Sequence, residues 1–156
     1  MILAFIQVFR MKRPLLLLTV CFLGVCAFAK DIRIDESGLP EKCIGFVRRW
    51  FPESSVKKVE LEKRASMSQY EIRLSDGTKL QFDMRGDCTE VDCGCDTVPY
   101  GIIPQKIRNY IGTEYPDRYP VRIEHDTKLY EVQLDDGCEL TFNTAFRLLD
   151  IDDGKK

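Results

Sequence analysis

The chain has 156 residues, 23 of them basic and 25 acidic, for a formal net charge of −2. That length excludes a large multidomain enzyme and leaves one domain or two very small ones. Hydrophobic residues at 44% and charged residues at 31% fit a folded chain better than a disordered one. The near-balanced charge offers no clustered basic face for nucleic acid.

Residues 1–29 read as a targeting segment. Met11-Lys12-Arg13-Pro14 opens a positively charged stretch, with Met11 a possible true start, and Leu15 to Ala29 is apolar. The run ends in Ala27-Phe28-Ala29, small residues of the kind a signal peptidase accepts, so cleavage is expected between Ala29 and Lys30. As a membrane anchor the run would be short for a helix crossing the bilayer. Val20 and Val25 precede Cys21 and Cys26, where a lipidation signal prefers a small residue, which makes lipoprotein anchoring the lesser alternative. Cleavage would remove Arg10, Lys12 and Arg13, leaving 20 basic against 25 acidic side chains and a net −5. The expected location is periplasmic or secreted, with no transmembrane segment after cleavage.

Export gives the remaining cysteines a meaning. In an oxidising compartment Cys43, Cys88, Cys93, Cys95 and Cys138 are disulfide candidates before they are metal ligands. Five is odd, and two bridges among five positions allow about fifteen connectivities.

After a linker over 30–38, the chain repeats itself. Tyr70-Glu71-Ile72-Arg73-Leu74-Ser75-Asp76-Gly77 returns 60 positions later as Tyr130-Glu131-Val132-Gln133-Leu134-Asp135-Asp136-Gly137. Upstream the offset is 64: Pro40, Cys43, Val47, Phe51-Pro52 and Val59 match Pro104, Ile107, Ile111, Tyr115-Pro116 and Ile123. The difference falls between Glu60 and Tyr70, as a loop insertion would. This predicts two units, 39–95 and 96–156. In each, proline suits the first turn of a helix. Ile44, Val47 and Phe51, and then Ile107, Ile111 and Tyr115, follow at helical spacing. Pro52 and Pro116 end the helices.

Strands come next. Val56 to Glu62 buries Val59 and Leu61; Tyr70, Ile72 and Leu74 alternate with polar residues, as in a half-buried strand. Asp76-Gly77 and Asp136-Gly137 are hairpin turns. Leu80, Phe82 and Met84 alternate again, and Thr89, Val91 and Cys93 form a further strand. The fold class is α+β: a tandem duplication in which each unit is one helix packed on about four antiparallel strands. The two sheets either join or form separate lobes.

The doubled order (proline, helix, Phe/Tyr-Pro, strand, Tyr-Glu-Ile/Val-x-Leu-x-Asp-Gly, then Leu-x-Phe-Asp/Asn) resembles the PepSY-like family of exported proteins of Bacteroides-type bacteria, also described as β-lactamase-inhibitor-like. The resemblance runs from Leu39 to Asp150. Many relatives carry a tryptophan two residues after the turn glycine Gly86, where this chain has Cys88. The resemblance implies a tandem helix-plus-sheet fold and a periplasmic or surface location. It implies little chemistry, because fold likeness is an associational argument for function.

The residues give no catalytic set. His125 is the only histidine, and no G-x-S-x-G, H-E-x-x-H, phosphate-loop or dinucleotide fingerprint occurs. No cofactor or metal is expected; Cys93-Gly94-Cys95 lacks the usual C-x-x-C spacing, and the acidic residues from Asp83 to Asp96 lack calcium-loop spacing. Strand alternation puts Lys58, Glu60, Glu90, Arg122, Glu124 and Glu139 outward, with Glu71, Arg73, Gln81, Glu131 and Gln133 as the candidate binding face. A polar sheet face is ordinarily solvated; its alternative is a recognition surface for a basic partner. The leading reading is therefore an exported non-enzymatic module binding another envelope or extracellular protein, with enzyme inhibition as one form. A structural envelope role and a thiol-redox or metal-binding role through Cys93 and Cys95 are the alternatives.

Overall fold

In a computed structural model, residues 30–63 and 68–154 are described. The proposed targeting segment, with Ala29, and part of the longer connection before Tyr70 lie outside them.

Nine strands form one antiparallel sheet in which spatial order equals chain order. β1 (Lys30–Arg33), within the stretch read as a linker, precedes a 3-10 turn at Glu36–Gly38. Then come α1 (Glu41–Trp50), β2 (Val56–Lys63), β3 (Ser68–Leu74), β4 (Lys79–Asp83) and β5 (Cys88–Asp92). The order repeats with α2 (Gln105–Glu114), β6 (Pro120–His125), β7 (Leu129–Leu134), β8 (Glu139–Asn143) and β9 (Leu148–Asp152). The joint is β5 on β6, where Val91 faces Ile123 and Glu90 faces Glu124.

Local chemistry explains the elements. Pro40 and Pro104 stand just before the helices rather than in their first turns, at ψ 141° and 136°. Each helix ends on an aromatic residue, Phe51 or Tyr115, whose N–H bonds back to Val47 or Ile111 at 2.8 Å. In the turns Asp76 Oδ1 accepts the Thr78 N–H at 2.8 Å and Asp136 Oδ1 accepts that of Cys138 at 3.0 Å. Gly77 and Gly137 sit at φ 95° and 87°, where a side chain would be strained.

Register carries one apolar row across eight strands: Val59, Ile72, Leu80, Val91, Ile123, Val132, Leu140 and Ile151. Both helices bury their inner stripes in the same core, Cys43 and Val47 from α1, Ile107 and Ile111 from α2. Phe46 meets Phe82 edge-on at 5.5 Å and 84°; Tyr110 meets Phe142 at 5.5 Å and 81°. Fully burying such a side chain contributes about 1.5–3 kcal/mol. Among the described residues no helix is long and apolar enough to cross a membrane.

Two expectations are corrected. Met84 is not a strand residue: β4 stops at Asp83, whose carboxylate takes over the backbone N–H groups of Arg85 and Asp87, and Met84 is turned out to solvent. The expected strand over Thr89, Val91 and Cys93 also shifts. A bulge between Gln81 and Phe82 sets Cys88 on the core side with Val91, and Cys93 lies just beyond the strand.

Candidate functional site

The sheet face away from the helices is organised in rows. One row crosses all nine strands: Arg33, Glu60, Glu71, Gln81, Glu90, Glu124, Glu131, Thr141 and Asp150. It sets Glu60 against Glu71, Glu90 against Glu124, and Glu124 against Glu131. Like charges directly opposite destabilise a sheet unless neighbours compensate.

Compensation comes from the adjacent row of Lys58, Arg73, Lys79, Asp92, Arg122, Gln133, Glu139 and Asp152. Lys58 pairs with Glu60 at 2.6 Å and Arg73 with Glu71 at 2.9 Å. Arg122 Nε reaches Glu90 at 2.9 Å and Lys79 Nζ reaches it at 3.3 Å, while Arg122 also holds Glu124. The long basic side chains lie over their partners. Glu71 and Glu90 are consequently only 7% and 4% exposed, which corrects the expectation that both face water. Burial, with Glu90 and Glu131 close by, raises the Glu124 carboxyl above its ordinary range in spite of Arg122.

The basic row ends at Arg122. Beyond it Glu139, Asp150 and Asp152 have no basic residue opposite them, Glu131 has only Arg122 on the diagonal, and among the described residues no ion pair reaches these four. The candidate face thus divides. Glu71 and Arg73 are bound to each other, and Gln81 accepts the Gln69 side-chain amide at 2.9 Å. Glu131 and Gln133 lie at the acidic, uncompensated end. Near the joint a depression of about 420 Å³ opens between Gln69, Gln81, Asp83, Thr89, Glu124 and Asp126.

The disulfide expectation is corrected. Cys43, Cys88, Cys93, Cys95 and Cys138 are all free thiols, and no two stand at bridging distance. Cys43 is on the buried side of α1, Cys88 opens β5 near enough to Cys43 to feel its charge, Cys138 stands just before β8 in the other half, and Cys93 is buried while Cys95 faces solvent. Burial pushes Cys43 and Cys93 up to about 11 and Cys88 up to about 12. Such thiols stay protonated at neutral pH and are weak nucleophiles and ligands. His125 stacks on Tyr130 at 5.2 Å. Among the described residues no group of three or more His, Cys, Asp or Glu side chains is gathered to hold a metal ion.

A single nine-stranded antiparallel sheet with two helices on one face defines an α+β protein of the helix-on-sheet kind. The family model described as "Putative beta-lactamase-inhibitor-like, PepSY-like" matches residues 27–81 and again 68–150. The chain belongs to this PepSY-like family. Three solved structures are similar. A protein of Bacteroides thetaiotaomicron, described as "a putative calcium-regulated periplasmic protein", is 38% identical with a TM-score of 0.76, over 78% of this chain and 96% of that one. A protein of Bacteroides vulgatus, described as a "putative periplasmic protein", is 35% identical with a TM-score of 0.76, over 79% and 97%. Another from the same species, of unknown function, is 30% identical with a TM-score of 0.77, over 80% and 100%. No curated protein matches the chain.

Proposed function

We propose that the protein is an exported, non-enzymatic binding module whose open sheet face receives a cationic protein partner at its β7–β9 end. The observation that carries this reading is the charge asymmetry of the face. Its first half is neutralised from within, whereas Glu131, Glu139, Asp150 and Asp152 are left for an outside cation. Complementary charge of this kind steers encounter and fixes orientation. The periplasmic descriptions of the similar structures support export, and the family description supports inhibition as one form of binding. The two helix-plus-four-strand halves are read as copies of one unit, supported by the repeated Tyr-Glu-Ile/Val-x-Leu-x-Asp-Gly and the matched helix ends and turns.

The test is a crosslinking pull-down from envelope extract of the source organism. Wild type is compared with the triple charge reversal Glu131→Lys, Glu139→Lys, Asp150→Lys, and with Lys58→Gln, Glu60→Gln as a control at the compensated end. One saturable partner, lost in the triple variant and kept in the control, supports the module and its face. A partner lost equally in both variants removes the asymmetry argument. No partner above background leaves the structural envelope role as the better reading. Inhibition is then checked by titrating the protein against the captured partner's own activity.

A further inference from the structure

The helix-bearing face carries a groove that the proposed function does not use. It runs between α1 and the segment entering α2, above the β5–β6 joint. An inner depression of about 270 Å³ opens into a broader one of about 700 Å³. Phe46, Trp50, Cys88 and His125 line both; Ile102 and Tyr130 complete the inner part. The inner wall is mixed, with Thr89 and Glu90 beside the apolar side chains; pockets of about this size that set a few polar groups among apolar ones suit small molecules.

Three observations select the occupant. First, α1 turns a second stripe toward the groove, Lys42, Gly45, Phe46 and Arg49, distinct from the Cys43 and Val47 stripe in the core. Helical spacing places these four on one face. Second, Gly45 has no packing reason within the chain: a Cβ built there meets nothing within 4 Å. Glycine inside a helix costs about 0.5–1 kcal/mol relative to alanine, and the space it leaves open is groove. Third, the rim is cationic although the protein as a whole is acidic. Lys42 is paired with Asp87 and Arg85 with Asp83, but Arg49 has no acidic partner among the described residues. Its guanidinium lies 4.9 Å from the Trp50 ring centroid, held over the aromatic floor.

We propose that this groove binds a small apolar carboxylate, its hydrocarbon part against Phe46 and Trp50 and its anionic end on the Arg49 guanidinium. Arginine suits that role, because its planar fork receives both carboxylate oxygens. Gly101 keeps the floor in place. A Cβ there would stand 2.3 Å from the Trp50 ring, so the indole can occupy this place only against a glycine.

Trp50 is the only tryptophan, so its fluorescence reports the site directly. The purified protein is titrated with phenylacetate, octanoate and the neutral analogue phenylacetamide, with the unfolding temperature followed in parallel. Expected is a saturable fluorescence change with at least one carboxylate, accompanied by a raised unfolding temperature. The amide and the Arg49→Gln variant should each bind about tenfold more weakly. Gly45→Leu, which fills the groove with a good helix former, should abolish the response while circular dichroism stays unchanged. Phenylacetate alone or octanoate alone would identify an aromatic or an aliphatic ligand. No saturable response and no thermal shift with either carboxylate overturns the proposal. So does equal binding of the amide, or an unaltered response in a folded Gly45→Leu variant.

Discussion

In the first half of the sheet, the turn after β4 is held by Asp83, whose Oδ1 accepts the N–H groups of Arg85 and Asp87 at 2.9 Å each. In the second half Asn143 Oδ1 does the same for Ala145 and Arg147 at 3.0 Å. The next backbone position is left-handed in both halves, Gly86 at φ 82° and Phe146 at φ 62°. What differs is what the side chains do with this shared frame. Phe146 packs its ring on Tyr130 at 5.3 Å and under Lys106, filling the space beside α2. Gly86 instead lets the start of α1 come close, since a Cβ there would stand 2.9 Å from Pro40 Cβ and 3.1 Å from Lys42 Cβ, and it forms part of the groove wall. On the other sheet face the difference runs the other way, because the first half neutralises its carboxylates and the second does not. The two halves thus share one backbone plan in their helix ends and turns, even where Asn143 stands for Asp83 and Phe146 for Gly86, while the other positions differ and give two different surfaces.

The largest expected effect tests whether the halves are energetically one body. Phe82 and Phe142 are each fully buried under the aromatic ring of their own helix. Phe82→Ala and Phe142→Ala should each cost about 3–5 kcal/mol, with one urea transition seen by both fluorescence and circular dichroism. If Phe142→Ala instead gives two transitions, with the Trp50 signal keeping the wild-type midpoint, the halves behave as separate lobes and the shared core carries no cooperativity.

A smaller effect sharpens the contrast at the left-handed position. Gly86→Ala meets a strained φ, and its Cβ would stand 2.9 Å from Pro40 Cβ. It should lose about 2 kcal/mol or more. Phe146→Gly removes the ring contact, about 0.5–1.5 kcal/mol, together with the partial burial of the side chain on the core, about 1 kcal/mol, but relieves a strained backbone worth about 1–2 kcal/mol. Its net loss should be about 1 kcal/mol, smaller than that of Gly86→Ala. Denaturation midpoints measure both, and equal losses would mean that Phe146 is not strained in place.

These positions also mark where the sequence was readable. The Asp-Gly turns, the paired helices and the alternating strands were legible because each rests on contacts a few residues apart, such as Asp76 with the Thr78 N–H. The joining of the two sheets was not, because it is decided by Val91 meeting Ile123 across 32 positions. Period two assigned Glu71 and Glu90 to the polar face correctly, but it cannot register that Arg73, Lys79 and Arg122 lie over them. The disulfide expectation came from the expected compartment, and the distances between these thiols are a property of the tertiary fold. The groove was equally hidden. Phe46 and Trp50 of α1 share one wall with Ile102 and Tyr130 only once β5 pairs with β6.

The smallest effect is the pH dependence of the two matched turns. Burial disfavours the Asp83 carboxylate, but the N–H groups of Asp87 and Arg85 and the Arg85 side chain outweigh it and hold its pKa below the ordinary carboxylate value. A depressed native pKa means that the contribution is complete above the unfolded value, near about 3.9. It is lost as pH falls through the lower native value. Asn143 makes the same two backbone bonds and carries no proton equilibrium. Below about pH 4, hydrogen-exchange protection of the Arg85 and Asp87 amides should therefore fall, while that of the Ala145 and Arg147 amides holds. Asp83→Asn should lower protection of the first turn at neutral pH by removing the Arg85 ion pair, and it should erase the acid dependence there. Parallel loss in both turns would mean that acid acts on the sheet as a whole and that the single carboxylate does not set the difference between them.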